Sequence, residues 1–286
     1  MRIGSRFSGI DLIAQHNLLA VLDSLSVSSA RLATMQRITR GSDDPAGLIA
    51  MEDLRAELTA IKEASDNAAR AGGVVHVADA ALGEVSSLLN TVRGNVVAAA
   101  GGGLSDAEIE ALQLETDAAL EAINRIGRMT FYGDQKLLDG SAEDGLSFAF
   151  SPEVATTSTL ELPEISTTAL GGSSGALSDL ASGGARSLVS GNLEEAMEIV
   201  DSAGSQVLAA RAEAGAFEKY TVDSAARMLG EMEVQISSAL SQVADTDAAE
   251  ESSRFIRAQT LARVATTSVM LAGQNRSLIG HLLDGL

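Results

Sequence analysis

The sequence of 286 residues contains no cysteine and no tryptophan, and aromatic residues make up only 3% of it. Without cysteine, the chain can form neither a disulfide nor a thiolate site. A globular enzyme of this size usually fills a thick core with aromatic side chains, whereas alanine, leucine, valine and isoleucine suit the thin seam between paired helices. Because 45% of the residues are hydrophobic, the composition favours a rod of packed helices.

The chain also lacks a cluster of basic residues, and its formal net charge is −19. Nucleic-acid binding depends on lysine and arginine neutralising phosphates, so a nucleic-acid partner is not expected. No stretch approaches the roughly 20 apolar residues of a membrane span, so membrane insertion is not expected either. Residues 1–20 lack the continuous apolar core of a secretory signal. Export, if it occurs, is therefore expected to proceed without a cleaved signal peptide.

What the sequence does contain is heptad spacing near both ends. Apolar residues that recur at intervals of three, four and seven residues form the stripe by which one helix packs on another. A last helix from about residue 247 to 283 would be on the order of 50–60 Å long, more than its own monomer could cover. We therefore predict self-assembly, with ends that fray in the monomer and become ordered on polymerisation. The predicted seam consists of Leu18, Val21, Leu25, Leu32, Val222, Leu229, Ile236, Val243, Phe255, Ala262, Val269, Ile279 and Leu283.

Capping signals divide the chain into helices. A polar side chain followed three residues later by a glutamate is typical of a helix start, and proline is tolerated at the first helical position. The glycines at 72–73 are either a break or tolerated within a helix that begins near Pro45 and runs towards Arg70. The predicted caps are Asp44, Ser105, Asn192 and Asp247. The predicted segments are 1–42 (N-terminal inner helix), 43–145 (first half of the rod), 146–190 (short insertion), 191–246 (returning helix) and 247–286 (C-terminal inner helix).

The middle of the chain has a different pattern. Leu146, Phe148 and Phe150 alternate with small residues, and Leu160 and Leu162 alternate before a proline. This alternation predicts two short strands in a β-hairpin, followed by a glycine- and serine-rich loop over 171–191. The fold class predicted from these patterns is mainly α, an elongated antiparallel helical rod or coiled coil built from the N- and C-terminal halves, with a short central hairpin.

The sequence gives little support to catalysis. His16, His76 and His281 are far apart and form no metal-binding pair. The acidic residues near 245–251 lack the glycine and ligand spacing of a calcium loop, and helix capping explains Asp247 and Glu250 directly. We therefore predict no enzyme activity and no catalytic, cofactor-binding or metal-binding residue.

Several short motifs resemble those of one family. The run from Arg37 to Gly47 resembles the N-terminal signature of bacterial flagellins, in which an Arg-Ile pair precedes Asp-Asp and Ala-Gly; the matching residues are Arg37, Ile38, Asp43, Asp44, Ala46 and Gly47. Phe131 and Gly133, followed by the sequence KLLDG at 136–140, are similar to a second family motif. C-terminal pieces at 211–216, 245–250 and 272–275 follow in the same order. The likeness covers about residues 1–145 and 190–286.

The resemblance implies a short flagellin that polymerises into the bacterial flagellar filament for motility, without the large outer domains. It further implies synthesis in the cytoplasm, export by the flagellar type III route to the cell exterior, and contact with the export apparatus, a flagellin chaperone and the filament cap. Two alternatives remain open. Pro45 replaces the alanine common in filament flagellins, and the first three residues are closer to the hook–filament junction protein, a flagellin relative. A soluble coiled-coil adaptor would carry similar seams.

Overall fold

A computed structural model describes residues 4–142, 144–151, 157–190 and 192–284, and side chains in these ranges between residues 12 and 274. The described chain is mainly helical, with small antiparallel strand pairs, which confirms the predicted fold class. Packing divides it into two units, Met1–Leu58 with Gln235–Leu286, and Thr59–Val234. No helix in the described ranges is both long and apolar enough to cross a membrane. The five segments predicted from the sequence stay a prediction.

The first unit pairs the two ends of the sequence. Helix α1 (Gly4–Thr34) packs on helix α6 (Ala248–Asp284). The unit also contains the start of α2 (Pro45–Ala100) and the end of α5 (Asp223–Ala244). The N- and C-terminal helices therefore pair with each other, as the two terminal seams predicted.

The second unit is a helical layer with a large apolar core and a smaller apolar cluster beside it. It contains most of α2, helix α3 (Asp106–Met129) and helix α4 (Leu193–Phe217). Buried residues of α2 alternate at spacings of three and four, the periodicity of a helix that packs along one face. These α2 residues are Ile61, Ala64, Ala68, Ala71, Val75, Ala78, Leu82, Val85, Leu89, Val92, Val96 and Ala99.

Helix α2 decides between the two alternatives for the glycines at 72–73. It continues through Gly72 and Gly73 to Ala100, so the glycines are tolerated within the helix and do not break it. Gly73 has a packing reason, because a Cβ there would stand 3.0 Å from the Tyr132 hydroxyl. A Cβ at Gly72 would stand 3.7 Å from a Val222 methyl group, an ordinary contact. Glycine at these positions leaves space for the neighbouring side chains to lie against the helix, and the helix continues through both residues. The helix ends where Gly102 adopts a positive φ of 62°.

Three small strand pairs lie in the second unit. The predicted central hairpin is present as β3 (Leu146–Ala149) and β4 (Thr157–Leu160), with Leu146 opposite Leu160. Two further pairs were not predicted, β1 (Phe131–Tyr132) with β2 (Gln135–Lys136), and β5 (Gly171–Gly172) with β6 (Gly175–Ala176). A 3₁₀ helix at Leu177–Leu180 follows β6. The predicted loop over 171–191 therefore contains a strand pair and a helical turn.

Between α4 and α5 the helix contains one π turn, Glu218–Val222, in which the Asp223 N–H donates to the Glu218 carbonyl oxygen. On α4, the buried residues Val207 and Ala214 are seven positions apart, and the same spacing would next bury positions 221 and 228. The buried positions beyond the turn are instead Val222 and Leu229, one residue later. Since a π turn holds one more residue than an α turn, it absorbs this shift.

The predicted caps differ in their contacts. The Glu108 carboxylate accepts from the Ser105 N–H at 2.7 Å and the Ser105 hydroxyl at 2.8 Å, and these bonds hold the pKa of Glu108 below its ordinary value. Asn192 directly precedes α4, but its side chain makes no cap hydrogen bond. Its side chain instead hydrogen-bonds Glu195, which, together with Arg186, lowers the pKa of that carboxyl.

A turn after β2 is held by Asp139. Its Oδ1 accepts from the Ser141 hydroxyl at 2.5 Å and the Ser141 N–H at 3.1 Å, and Lys136 Nζ lies 3.1 Å from Oδ2. The Ser141 hydroxyl, followed by Lys136, lowers the pKa of Asp139 to about 2 from the ordinary 3.8. Next to this turn, Leu137 and Leu138 are fully buried.

The Asp139 turn predicts a defined pH dependence. Because the folded-state pKa lies below the unfolded value, the turn stabilises the fold above pH 3.8 and loses that contribution as the pH falls from 3.8 to about 2. We expect the carboxyl ¹³C resonance of Asp139 to titrate with a midpoint near pH 2. The Ser141→Ala substitution should raise the pH of that midpoint. A wild-type midpoint near 3.8 would contradict this account.

Candidate assembly surface

Backbone hydrogen bonds fasten the end of α1 to the start of α6. The Arg37 N–H donates to the Ala244 carbonyl oxygen at 2.7 Å, and the Thr246 N–H donates to the Met35 carbonyl oxygen at 3.1 Å. Gln36 forms an antiparallel bridge with Asp245. The two helices therefore leave this bridge side by side and run antiparallel.

The predicted seam residues of the terminal helices lie on the face where α1 meets α6. Each one whose side chain is described is half-buried: Leu18, Val21, Leu25 and Leu32 on α1, and Phe255, Ala262 and Val269 on α6. Ile279 and Leu283 belong to α6, but their side chains lie outside the described residues. Val222, the residue before α5, and Leu229 within it are buried in the second unit. Ile236 and Val243, also in α5, are half-buried in the first unit.

One layer of this seam is polar. The Ser28 hydroxyl donates to Glu251 Oε1 at 2.6 Å, and both residues are buried, with 7% and 3% of their surface exposed. Arg254 Nη1 lies 3.5 Å from Glu251 Oε2. In the sequence, Glu251 stands in an acidic cluster and gives no direct sign of burial. Its spacing with Phe255, Ala258 and Ala262 is the signal that places the carboxylate in the heptad stripe.

Further large apolar side chains of the first unit lie outside the seam. On both terminal helices they are 45–67% exposed in the free chain. Single exposed apolar residues are ordinary on a protein surface, but nine of them on two paired helices favour an interaction surface. The members are Leu12, Ile13, Leu19 and Leu22 on α1, and Ile256, Leu261, Val264, Met270 and Leu271 on α6. We call these nine residues the outward face; the sequence reading did not identify it.

The motif at residues 37–47 builds the connection from α1 to α2. Ile38 is buried with 2% exposed, and Arg37 Nη2 donates to the Val243 carbonyl oxygen at 2.9 Å. Asp43 Oδ2 accepts from the Thr39 N–H, the Thr39 hydroxyl and the Arg40 N–H at 3.0–3.1 Å. Partial burial alone would raise the pKa of Asp43, but these bonds bring it below its ordinary value. The motif thus fixes a turn beside the terminal helix pair.

The end of the same motif caps α2. Asp44 Oδ1 accepts from the Gly47 N–H at 2.9 Å, and Pro45 begins the helix. A Cβ at Gly47 would stand 2.4 Å from Asp44 Oδ2 and 2.6 Å from the Ile38 Cδ1 atom. An alanine at this position would therefore require the Asp44 and Ile38 side chains to move. Ala46 is exposed.

The remaining predicted residues are the Asp247 cap in the first unit and the Phe131 and Gly133 motif in the second. At the start of α6, Asp247 Oδ1 accepts from the N–H groups of Ala249 and Glu250 at 2.8 and 3.1 Å. In the second unit, Phe131 is 60% exposed on β1, and Gly133 forms the tight turn to β2 with a φ of 63°. Within the described ranges, no group of three His, Asp or Glu side chains is placed to hold a metal ion.

In a comparison with known proteins, both ends of the chain match the same family. The model of the bacterial flagellin N-terminal helical region matches residues 8–143, and the model of the C-terminal helical region matches residues 197–282. These two ranges contain the seam positions on both terminal helices except Leu283.

Individual relatives match at moderate identity. A flagellin of Bacillus subtilis is 26% identical over 99% of this chain and 100% of its own length. Polar flagellin F of Vibrio parahaemolyticus and B-type flagellin of Pseudomonas aeruginosa are 33% and 35% identical over 46% of this chain. Those matches cover 34% and 27% of the relatives, so this chain spans only about a third of their length.

A solved structure is also similar. The putative flagellar hook-associated protein from Vibrio parahaemolyticus matches with a TM-score of 0.63 and 17% identity, over 71% of this chain and 100% of that chain. At that identity the likeness concerns the fold alone. Together, the two family matches at either end and the full-length relative place this chain in the bacterial flagellin family.

Proposed function

We propose that this protein is a structural subunit that polymerises into the bacterial flagellar filament through its terminal helix pair. The observation that carries the proposal is the outward face, nine large apolar side chains left exposed along α1 and α6. Fully burying one Leu or Ile side chain stabilises an assembly by about 1.5–3 kcal/mol. Several such side chains per subunit are needed to exceed the cost of association.

The charge distribution supports the same role. Helix α1 contains two arginines and two aspartates, and α6 contains four arginines against two glutamates and one aspartate. All of the negative net charge therefore lies in the residues between them. Many copies of near-neutral helices can pack against one another without strong repulsion, while the acidic remainder keeps the assembly soluble.

The finer parts of the proposal follow from the family. We propose that the predicted seam positions on α1 and α6, from Leu18 to Leu32 and from Phe255 to Leu283, hold together the helix pair that assembles, and that the role is structural and not catalytic. Val222 and Leu229 are buried in the second unit of the same chain, so they are not part of a surface between subunits. Synthesis in the cytoplasm, export by the flagellar type III route without a cleaved signal peptide, and contacts with a flagellin chaperone and the filament cap belong to the same proposal. The family relationship supports each of these.

Seeded elongation tests the proposal. Purified chain is added to short filament fragments from the source organism, and growth is followed by light scattering and electron microscopy. We expect uniform tubes to elongate, and we expect a chain ending at residue 249 to add nothing, although circular dichroism reports its remaining helices. A short terminal layer would support the junction protein instead, and a discrete oligomer would support the adaptor.

A further inference from the structure

The seam between α1 and α6 contains one buried carboxylate that neither capping nor assembly explains. Glu251 has 3% of its surface exposed. A buried carboxylate is costly unless it is paired and hydrogen-bonded. The other described positions in its α6 stripe are Phe255, Ala258, Ala262, Ala265, Val269 and Ala272. Among the described positions of this α6 stripe, Glu251 is therefore a polar residue in an otherwise apolar set.

Helix-terminal electrostatics do not account for this burial. A glutamate in the first turn of a helix is stabilised by the helix dipole. Glu250, one residue earlier, occupies the same turn while exposed, and its Oε1 lies 2.6 Å from Arg254 Nη2. A favourable dipole interaction is thus available without burying a charge. The buried Glu251 carboxylate instead has a partner on the other helix, because the Ser28 hydroxyl donates to its Oε1 at 2.6 Å.

The rest of the seam discriminates weakly between registers. In the α6 stripe, alanine occupies four of the six other described positions, and such small apolar side chains fit almost equally well when one helix slides past the other by a heptad. The backbone bonds at Gln36 and Asp245 fasten the helix ends through groups that any sequence provides. A slide of seven residues would, however, set Glu251 against Val21 in place of Ser28. The carboxylate would then lose its hydroxyl donor and be buried against an apolar side chain.

We propose that the Ser28–Glu251 hydrogen bond sets the register in which the N-terminal helix pairs with the C-terminal helix. A single buried polar layer acts in this way in coiled coils, where it selects one alignment at some cost in stability. The inference concerns pairing within one chain, so its test is separate from polymerisation and either can fail alone.

The absence of cysteine makes the register measurable by disulfide trapping. The chain carrying Val21→Cys and Ala258→Cys reports the native register. In an antiparallel pair with Ser28 opposite Glu251, the residue seven positions before Ser28 lies opposite the residue seven positions after Glu251. The chain carrying Ala14→Cys and Ala258→Cys reports the register shifted by one heptad. In the native register this second pair is offset by about 10 Å along the helix, beyond disulfide reach. Both chains are oxidised during refolding, and the yields are compared.

With Glu251 intact, we expect the native pair to exceed the shifted pair by about tenfold or more, the discrimination that one hydrogen bond to a charged group provides. Glu251→Leu is expected to reduce that ratio to about threefold or less, since its side chain fits either alignment. Ser28→Ala should move the ratio in the same direction, while Glu251→Gln, which still accepts from Ser28, should largely preserve it.

Glu250→Leu is the matched control, the same change one position outside the seam, and it should leave the ratio unchanged. If Glu251→Leu and Ser28→Ala both keep the wild-type ratio, the proposal is overturned. The same conclusion follows if Glu250→Leu lowers the ratio as much as Glu251→Leu does.

Discussion

We expect the replacement of both Leu261 and Val264 by aspartate to abolish filament elongation, while the free subunit keeps its fold. These side chains are 49% and 57% exposed on the outward face of α6 and lie outside the seam with α1. Aspartates there remain hydrated in the free chain, so folding changes little. In a polymer that covers this face, each subunit would bury two unpaired carboxylates at a cost of several kcal/mol each.

The measurement is seeded elongation followed by light scattering, with circular dichroism as the check on folding. The matched control replaces the same two residues by Met and Ile, which preserves the apolar surface and should elongate at a rate similar to wild type. Elongation of the double aspartate variant at the wild-type rate would show that polymerisation does not use this face.

Gly127→Ala is expected to destabilise the second unit by about 3 kcal/mol, the upper part of the range for overpacking a buried site. Gly127 is buried on α3, where the chain at Ile165 crosses the helix. A Cβ there would stand 1.9 Å from the Ile165 carbonyl oxygen and 3.4 Å from that of Leu138. The obstacle is backbone, and the Ile165 N–H also donates to the Leu138 carbonyl oxygen at 2.9 Å. The segment can move away only by breaking that bond.

Gly204→Ala serves as the control for the loss of a helical glycine. Gly204 lies within α4, and a Cβ there would meet nothing within 4 Å. Alanine should therefore be neutral or stabilise by up to about 1 kcal/mol. Both variants are compared with wild type by denaturant unfolding. Equal stability of Gly127→Ala and wild type would contradict the packing account.

The sequence predicted the helical elements best where one periodicity extended over many residues. The heptads at Leu18–Leu32 and Phe255–Val269 indicated two helices that need a partner, and those helices pair in the structure. Periodicity identifies the face turned towards a partner helix, but it does not show how much of the remaining surface is left uncovered. The outward face therefore became visible only in the folded unit.

Glycine and asparagine were harder to interpret because their local preferences depend on distant neighbours. Gly72 and Gly73 resembled a helix break, yet they lie inside α2 beside Val222 and Tyr132. Asn192 had the spacing of a capping box, but the Glu195 carboxylate interacts with the Asn192 side chain and with Arg186, 2.9 Å away, and the cap bond is not made. In both cases a tertiary contact outweighed the local signal.

The π turn at Glu218–Val222 also determines which changes in chain length this helix can accept. Loss of one residue within those five positions would convert the π turn to an ordinary α turn and leave the stripe of Val222 and Leu229 aligned with that of α4. Loss of one residue elsewhere in α4 would rotate everything beyond it by about 100° about the helix axis. The five-residue turn is therefore the place where homologous chains can differ by a single codon without exposing the core of the returning helix.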